Sequence, residues 1–160
     1  MSISPDTFRA AMGQLASGVT IVTMRAGDED HGFTASSFTS VSIDPMLVLV
    51  CVVRNQRSHA LIEQAGHFAV NLLSMSQKEL GVRFASSKTP DRFAGLDVSR
   101  AVSGAAILPG NLAWVDCGLR DTYDGGDHSI FIGEVLAGDA PGRQEPLVYH
   151  ARQWGTFRLA

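Results

Sequence analysis

Small hydroxyl residues lead directly into an apolar segment between positions 31 and 53. The hydroxyl residues Thr34, Ser36 and Ser37 surround Ala35, whose backbone amide is the group that it offers, and residues 47–53 have the composition of a buried strand. Hydroxyl groups and backbone amides held on a rigid edge can hydrogen-bond to phosphate or heterocycle atoms, while the buried strand fixes their positions. The segment therefore predicts a binding site for a polar ligand.

A second candidate for ligand binding follows the same apolar segment. Ser58 is predicted to cap a short helix that stops at Gly66, and a hydroxyl at a helix N-terminus is a favourable place for an anion. Further along, the polar loop from Ala85 to Gly95 carries Lys88 and has the composition of a ligand lid. The helix start and the loop thus supply groups that can contact an anionic ligand.

The motifs of several common enzyme classes are missing from the sequence. It has no Gly-x-Gly-x-x-Gly, Walker, His-Glu-x-x-His or Gly-x-Ser-x-Gly pattern, no Cys-x-x-Cys and no zinc-ligand spacing. A nicotinamide cofactor would therefore not be held by the usual dinucleotide-binding fold.

The elements that position these residues are predicted from periodicity and turn residues. Ser4 and Pro5 begin a helix that ends near Gly18, and residues 19–24 form a strand. Residues 32–53 are interpreted as two strands separated at Asp44-Pro45. A strand is predicted over residues 67–73.

The second half of the chain continues this pattern. Ser76 and Glu79 have the spacing of a capping box at the start of a helix. Alternation from Asn111 predicts a half-buried strand that turns at residues 124–127 into a partner strand over residues 130–136. Antiparallel strands with inserted helices favour a closed or partly closed β-barrel over a doubly wound sheet.

Composition limits the remaining possibilities. A chain of 160 residues with 45% hydrophobic content predicts a single domain over residues 1–160, and a formal charge of −3 excludes the basic surface that nucleic acid requires. No apolar run is long enough to span a membrane, and no signal peptide is evident. Cys51 and Cys117 lie in strand patterns and are predicted to be buried free thiols of a cytoplasmic protein.

Seven short motifs occur in an order and spacing that resemble a known family. They are Gly32-Phe-Thr-Ala-Ser-Ser37, Ser42-Ile-Asp-Pro45, Arg57-Ser-His59, Phe68-Ala-Val-Asn71, Gly126-Asp-His128, Gly133-Glu-Val135, and Tyr149-His150 with Trp154-Gly-Thr-Phe157. Together they resemble the short-chain flavin reductases, the NAD(P)H-dependent reductase components of two-component aromatic monooxygenases. The resemblance implies a mainly β fold, a homodimer, and an antiparallel, Greek-key-like split β-barrel that binds flavin and has a few short helices.

The resemblance also implies roles for individual residues. The flavin ring and ribityl chain would lie beside Thr34, Ala35, Ser36 and Ser37, with further ring contacts from Cys51, Val52 and Val53. The phosphate end would involve Asn55 and Ser58 with Arg54 and Arg57, and Phe84, Ala85 and Lys88 would belong to the segment that closes over the flavin. His128 would orient the nicotinamide side, and Tyr149 would stack on a ring. The other four histidines, His31, His59, His67 and His150, are predicted to be structural.

The leading hypothesis is an oxidoreductase that uses NADH or NADPH to reduce FMN or FAD by hydride transfer and supplies reduced flavin to a partner monooxygenase. Hydride transfer between cofactors requires no protein nucleophile, which agrees with the absence of a catalytic triad. Two alternatives remain open at this stage. The protein could retain FMN and pass electrons to another acceptor, or it could be a non-catalytic flavin-binding or haem-binding module.

Overall fold

Strands outnumber helices along residues 2–158, the part of the chain that this computed structural model describes. The α-helices are α1 (Pro5–Met12), α2 (Arg57–Ala65) and α3 (Lys78–Ala85), and a 3-10 helix covers Met75–Gln77. The first six strands are β1 (Ser17–Gly18), β2 (Thr20–Ala26), β3 (Glu29–Ala35), β4 (Thr39–Ile43), β5 (Met46–Val53) and β6 (His67–Leu72). The last six are β7 (Ser99–Arg100), β8 (Ala106–Ile107), β9 (Ala113–Gly125), β10 (His128–Asp139), β11 (Leu147–His150) and β12 (Gln153–Thr156).

A seven-stranded antiparallel sheet dominates the structure. Its strand order is β3-β2-β6-β9-β10-β5-β4, so β3 and β4 are the two edges of the hydrogen-bonded ladder. Tight turns join β2 to β3 and β9 to β10, where Gly27 and Gly126 have positive φ angles of 61° and 80°. The predicted mainly β fold with a few helices is confirmed.

Alternating side chains of the long strands supply the main core. In β5 the side chains of Val48, Val50 and Val52 are buried, and Phe131 of β10 is fully buried opposite Val50. Each such side chain stabilises the fold by roughly 1.5–3 kcal/mol relative to an exposed position. A second cluster of buried residues includes Val19, Ile21, Leu73, Phe84, Leu108 and Leu147.

A close contact between strands requires glycine at one position of this core. A Cβ atom at Gly133 would lie 2.5 Å from Cζ of Phe68 and 2.8 Å from Cβ of Cys117. No larger residue fits there without displacing β6 or β9, so the glycine allows Phe68 to fill the centre of the sheet.

The helix boundaries differ from the sequence-based expectations. The first helix ends at Met12 with Gly13 as its C-cap, and not near Gly18, because Ser17 and Gly18 pair with β11 as strand β1. The N-cap of α2 is Gln56, so Ser58 lies within the first turn and does not cap the helix.

The predicted capping box at Ser76 and Glu79 is also wrong. It lies two residues earlier, where Ser74 and Gln77 make the reciprocal bonds and start the 3-10 helix that precedes α3. Both pairs have capping-box spacing, but Ser74 is buried whereas Ser76 is exposed.

Residues 32–53 form parts of three strands and not two. Strand β3 begins at Glu29 and ends at Ala35, and the hydroxyl-rich residues 36–38 leave the ladder before β4 begins. The turn at Asp44-Pro45 separates β4 from β5 as predicted. The hydroxyl-rich segment therefore lies at the junction between β3 and β4.

Within residues 2–158, no helix combines the length and the apolar character needed to cross a membrane.

Candidate functional site

The candidate site is built around the hydroxyl-rich segment, residues 34–37, and the neighbouring strand β5. The Ser37 hydroxyl donates to the Cys51 carbonyl at 3.0 Å and accepts from the Cys51 amide at 3.2 Å. This side chain continues the ladder between β4 and β5 beyond Thr39, which pairs with Leu49. The hydroxyl-rich segment is therefore held against β5 at a fixed position.

The remaining hydroxyls of this segment have different partners. Thr34 donates to the Gly81 carbonyl of α3 at 2.6 Å, and Thr20 donates to the Ala35 carbonyl at 2.9 Å. Ser36 is exposed, and its hydroxyl bonds to none of residues 2–158. Two of the predicted hydroxyls thus brace the segment, and the third is available to a ligand.

His128 lies at the neighbouring strand end. It pairs with Val53 across β10 and β5, and its Nδ1 lies 2.7 Å from a carboxylate oxygen of Asp127. This hydrogen bond with His128 lowers the pKa of Asp127. Arg54 donates to the His128 carbonyl at 3.2 Å and pairs with Asp124 at 2.8 Å, so the hairpin tip is tied to the end of β5.

A polar cleft of about 820 Å³, here called the main cleft, lies between β3, α2 and the loop after α3. Its walls come from the start of β3, the first turn of α2 and the loop after α3. The lining residues are Glu29, Asp30, His31, Gly32, Gln56, Arg57, Ser58, Ser87, Thr89, Pro90, Asp91, Arg92 and Phe93. Of the predicted site residues, the fold brings Ser58 into this cleft.

Ser58 is joined to a histidine of the facing strand. His31 Nε2 lies 3.1 Å from the Ser58 hydroxyl, which links β3 to α2 across the cleft. Burial, reinforced by the nearby Arg92 and Arg57 charges, lowers the pKa of His31, and Glu29 opposes this shift. His31 is therefore a neutral ring near pH 7, with one nitrogen that donates and one that accepts.

Two acidic residues that line the main cleft are paired with arginines. Asp30 accepts from Arg100 at 2.6 Å and from Arg25 at 3.1 Å, and the bond from Arg100 lowers its pKa. Arg57 pairs with Glu29 at 3.1 Å, but both side chains are largely exposed. An exposed pair of this kind contributes only about 0–1 kcal/mol, so Arg57 is free to exchange Glu29 for an anionic ligand.

The loop after α3 is anchored to the site by Arg92. Its guanidinium donates to the Gly32 carbonyl at 2.8 Å and to the Ser86 carbonyl through two nitrogens at 2.8 and 3.1 Å. Phe93 packs edge-on against the buried ring of Phe84, with the ring centroids 5.0 Å apart. The predicted lid is therefore a braced wall of the cleft in this conformation.

A smaller cleft of about 320 Å³ lies on the other side of the hydroxyl-rich segment and is here called the second cleft. It is formed by α1, the β11–β12 hairpin and Ser36. Tyr149 lines it, with its ring edge-on to Trp154 at a centroid distance of 5.3 Å. Two predicted site residues, Ser36 and Tyr149, thus meet here and not in the main cleft.

The other predicted residues lie outside both clefts. Asn55, Ala85 and Lys88 are exposed, whereas the side chains of Val52 and Phe84 are buried in the core. A ligand would reach Val52 or Phe84 only through the backbone or after rearrangement.

Comparison with known proteins identifies the family. The profile of the "Flavin reductase like domain" matches residues 12–158. The chain belongs to this family. The flavin reductase relatives include the reductase subunit HsaB of a flavin-dependent monooxygenase from Mycobacterium tuberculosis, which is 42% identical over 133 residues that cover 83% of this chain and 71% of the relative. A "Flavin reductase" from Pseudomonas putida is 39% identical over 157 residues, which cover 98% of this chain and 92% of the relative.

Solved structures of flavin reductases have the same fold. BorF, the flavin reductase component of a bacterial two-component tryptophan halogenase, aligns with a TM-score of 0.90 and 37% identity and covers 98% of this chain and all of its own. The NADH:FAD oxidoreductase SgcE6 of Streptomyces globisporus aligns with a TM-score of 0.90 and 34% identity, covering 99% of this chain and 97% of its own. The predicted family and the predicted oxidoreductase class are confirmed.

The structure adds two residues to the main cleft. His31, which is expected from the sequence to be structural, and Arg92 both line it. The position of His31 one residue before Gly32, at the start of the hydroxyl-rich motif, was the available signal. Nothing in the local sequence around Arg92 shows that its guanidinium reaches Gly32, sixty positions earlier.

Proposed function

We propose that this flavin reductase uses NADH or NADPH to reduce FMN or FAD and delivers the reduced flavin to a partner monooxygenase. The observation that carries the proposal is the polar main cleft, which is lined by Gly32 at the start of the hydroxyl-rich motif and by Arg57 and Ser58 of α2. Its hydroxyls and arginines suit a ligand with a heterocycle at one end and a phosphate at the other.

The donor set fits a flavin nucleotide. A cleft of about 820 Å³ lies within the range of about 300–1,000 Å³ that is usual for small-molecule sites. At its phosphate end, Ser58 lies in the first turn of α2, where amides without helical partners favour an anion, and Arg57 supplies a mobile positive charge. At the ring end, residues 34–37 and 51–53 would provide short side chains and backbone groups.

In this proposal the residues of this chain bind the two nucleotides and orient their rings. The bound flavin and reduced nicotinamide nucleotide supply the hydride-transfer chemistry. Ser37 holds the ring-binding segment against β5, Arg92 braces the wall of the cleft, and Ser58 with Arg57 binds phosphate. His128 orients the nicotinamide side, and its contact with Asp127 supports a fixed ring position.

We also propose that the main sheet curls into a split barrel. Its two edge strands are joined by only three residues, 36–38, which keeps β3 and β4 close at one end. At the other end, the contact between Ser58 and His31 connects the helix after β5 to β3. The opening between these two connections is the proposed flavin site.

A homodimer is the third part of the proposal. The outer face of β5 and β10, opposite the core, carries a row of paired apolar residues. They include Leu49 opposite Ile132 and Cys51 opposite Ile130, and all four side chains are only half-buried in one chain. An apolar face of this kind favours a second copy of the chain as its cover, since homodimer interfaces are rich in apolar surface.

The whole of residues 1–160 is proposed to be one domain acting in the cytoplasm. Two observations support this proposal. The family profile extends over residues 12–158, and both cysteines are free thiols, as is usual in a reducing compartment.

Loss of reduced-nicotinamide absorbance is the experiment that tests the proposal. NADH and NADPH are each combined with FMN, with FAD and with no added flavin. We expect turnover that rises with added flavin and protein that elutes from gel filtration without colour. Protein that stays yellow and needs no added flavin would favour a retained-FMN electron carrier, and flavin binding without nicotinamide oxidation would favour a binding module.

A further inference from the structure

The two candidate flavins differ only at and beyond the ribityl phosphate. FMN ends there in a phosphate monoester, which carries a charge of about −1.5 to −2 near pH 7. In FAD the same phosphate is a diester with a single charge, and the pyrophosphate continues into adenosine. The charged groups next to the phosphate therefore influence which flavin the protein prefers.

The main cleft extends past the groups that the proposed function assigns to the phosphate. The flavin ring is proposed to lie beside residues 34–37 and 51–53, none of which lines this cleft, and the phosphate beside Arg57 and Ser58, which do. A further wall of the cleft comes from residues 89–93 of the loop after α3. The cleft thus accommodates the phosphate and whatever is attached to it.

Three carboxylates line the main cleft, and two of them are compensated within the chain. Asp30 accepts from the two arginines described above, and Asp91 accepts from two backbone amides of its own loop at 2.9 and 3.1 Å. The third, Glu29, has Arg57 as its one partner among the described residues, at 3.1 Å. A phosphate that takes the Arg57 guanidinium therefore leaves the Glu29 charge without a partner.

The backbone keeps Glu29 beside this guanidinium. Glu29 is the first residue of β3 and pairs with Ala26 across the tight turn after β2. The side chains of Glu29 and Arg57 are 79% and 70% exposed, so the carboxylate can turn away from the guanidinium but stays within the length of one side chain. Its charge then acts on the phosphate largely through water, with a repulsion proportional to the charge of the phosphate.

We infer that Glu29 makes the main cleft prefer FAD to FMN. This inference rests on the proposed function, because it requires the flavin phosphate to bind at Arg57 and Ser58. Glu29 competes with both flavins for Arg57, but it repels the monoester of FMN more strongly than the diester of FAD. One further unit of charge at a few ångströms in water changes a dissociation constant about two- to fivefold.

The ratio of the Kd for FMN to the Kd for FAD tests the inference without turnover. Fluorescence quenching at about pH 7.5 and low ionic strength gives both constants for the parent protein, Glu29→Gln and Glu29→Asp. We expect Glu29→Gln to lower the ratio about two- to fivefold, because it removes the charge and keeps the shape of the side chain. Glu29→Asp keeps the charge and should keep most of the preference. Added salt should lower the ratio more in the parent protein than in Glu29→Gln, since salt screens this repulsion.

Glu145→Gln is the matched control. Glu145 also forms an exposed pair with an arginine, Arg158, at 2.7 Å, but it lines neither cleft. Its substitution changes the net charge of the protein by the same amount as Glu29→Gln, and the ratio should stay at the parent value. Riboflavin, which has no phosphate, should bind the parent protein and Glu29→Gln with equal affinity.

Three results would overturn the inference. An equal change in both dissociation constants in Glu29→Gln would show competition for Arg57 without any choice between the flavins. Unchanged constants would place Glu29 away from the phosphate, and a change in riboflavin affinity as large as that for FMN would show that the substitution does not act through the phosphate. Failure of the parent protein to bind either flavin, or to oxidise NADH when flavin is added, would instead contradict the proposed function itself.

Discussion

The His31–Ser58 pair determines which hydrogen-bonding groups the main cleft offers. A hydroxyl has one proton to donate. If His31 Nε2 carries a proton, it can donate to Ser58, whose own proton is then free for a phosphate oxygen. If Nε2 is bare, Ser58 donates to His31 and offers only lone pairs. The tautomer of one histidine thus sets whether Ser58 repels or attracts an anion.

Stability should depend on pH through His31. Because the pKa of His31 is lowered by folding, the unfolded chain binds a proton more readily. The free energy of unfolding should therefore fall as pH decreases below about 6.5, the ordinary histidine pKa, until the lowered pKa is passed. His31→Asn keeps a side-chain hydrogen-bond donor that does not titrate. The free energy of unfolding of this variant should therefore fall less between about pH 7 and 5 than that of the parent protein. Urea unfolding across this range measures the difference, and parallel curves would contradict it.

Ser58 should contribute directly to flavin affinity. Removal of the hydroxyl in Ser58→Ala loses about 0.5–1.5 kcal/mol for a neutral hydrogen bond, which raises the Kd for FMN about two- to tenfold. Ser129→Ala is the matched control, because Ser129 is 4% exposed, as is Ser58, and also bonds to a histidine, His59, at 2.8 Å. Fluorescence quenching of FMN gives both constants. Equal constants for the two variants would remove Ser58 from the phosphate site.

His128 should affect the nicotinamide nucleotide more than the flavin. The variant His128→Ala removes the ring that contacts Asp127. We expect the KM for NADH to rise severalfold, with a smaller change in the KM for flavin. His128→Asn retains a donor toward Asp127 and should recover part of the loss. Steady-state kinetics with each substrate varied in turn separates the two constants, and equal changes in both would count against an orienting role.

At the residue scale, sequence reasoning identified the groups but not their partners. The hydroxyls of residues 34–37 were predicted as ligand contacts, yet the hydroxyls of Thr34 and Ser37 donate to the backbone carbonyls of Gly81 and Cys51. Those carbonyls lie 47 and 14 positions away. Local composition shows which residues could bind a ligand, but only the tertiary fold shows which of them are already engaged.

At the scale of elements, the segment after α3 is held in place by two arginines, Arg92 and Arg83. Arg92 makes three hydrogen bonds to two backbone carbonyls, and one of these belongs to the edge strand β3. Arg83 adds bonds to the carbonyls of Asp91 and Ala94 at 3.2 and 2.7 Å. The loop that sequence composition suggested as a mobile lid is therefore attached at both ends.

Arg92→Lys should release this loop without unfolding the protein. An ammonium group cannot reproduce the planar fork that reaches both carbonyls. Hydrogen exchange should accelerate in residues 86–95 while the core strands stay protected, and flavin affinity should fall. Arg143→Lys, in the exposed loop before β11, is the control and should leave exchange unchanged. Unaltered exchange in Arg92→Lys would show that Arg83 and Phe93 anchor the loop without Arg92.

Element types were easier to predict from sequence than their ends. All three helices and the β9–β10 hairpin were recognised from periodicity and turn residues. Their starts were less certain. Ser58 is a good N-cap residue that follows the actual cap of α2, Gln56, and Ser76 lies within the 3-10 helix that Ser74 caps and that leads into α3. Cap preference is worth only about 1 kcal/mol, and the packing of each helix overrides it.

At the scale of the whole molecule, the outer face of β5 and β10 determines the expected assembly. Ile132→Glu places a charge in the centre of the apolar row and should convert a dimer to a monomer, because an unpaired charge at an interface is costly. Sedimentation velocity measures the change, and circular dichroism should stay the same. Glu134→Gln, two residues along the same strand, is the control. A parent protein that sediments as a monomer would contradict the proposed interface.

The overall architecture was largely predictable, since alternation and turn residues indicated an antiparallel β fold without a dinucleotide-binding sheet. The order of strands in the sheet was not predictable. β2 and β6 are neighbours although 40 residues separate the end of β2 from the start of β6, and such long-range pairing has no signal in the local sequence.

The burial of the two thiols has a consequence for the durability of the protein. Reduced flavin released into aerated solution reacts with oxygen and yields hydrogen peroxide, which attacks thiolates far faster than thiols. Burial raises the pKa of Cys51 and, with the nearby Asp116 charge, raises that of Cys117 to about 12. Both therefore stay protonated at neutral pH. An enzyme of this kind would carry its cysteines in the form that best resists the by-product of its own activity.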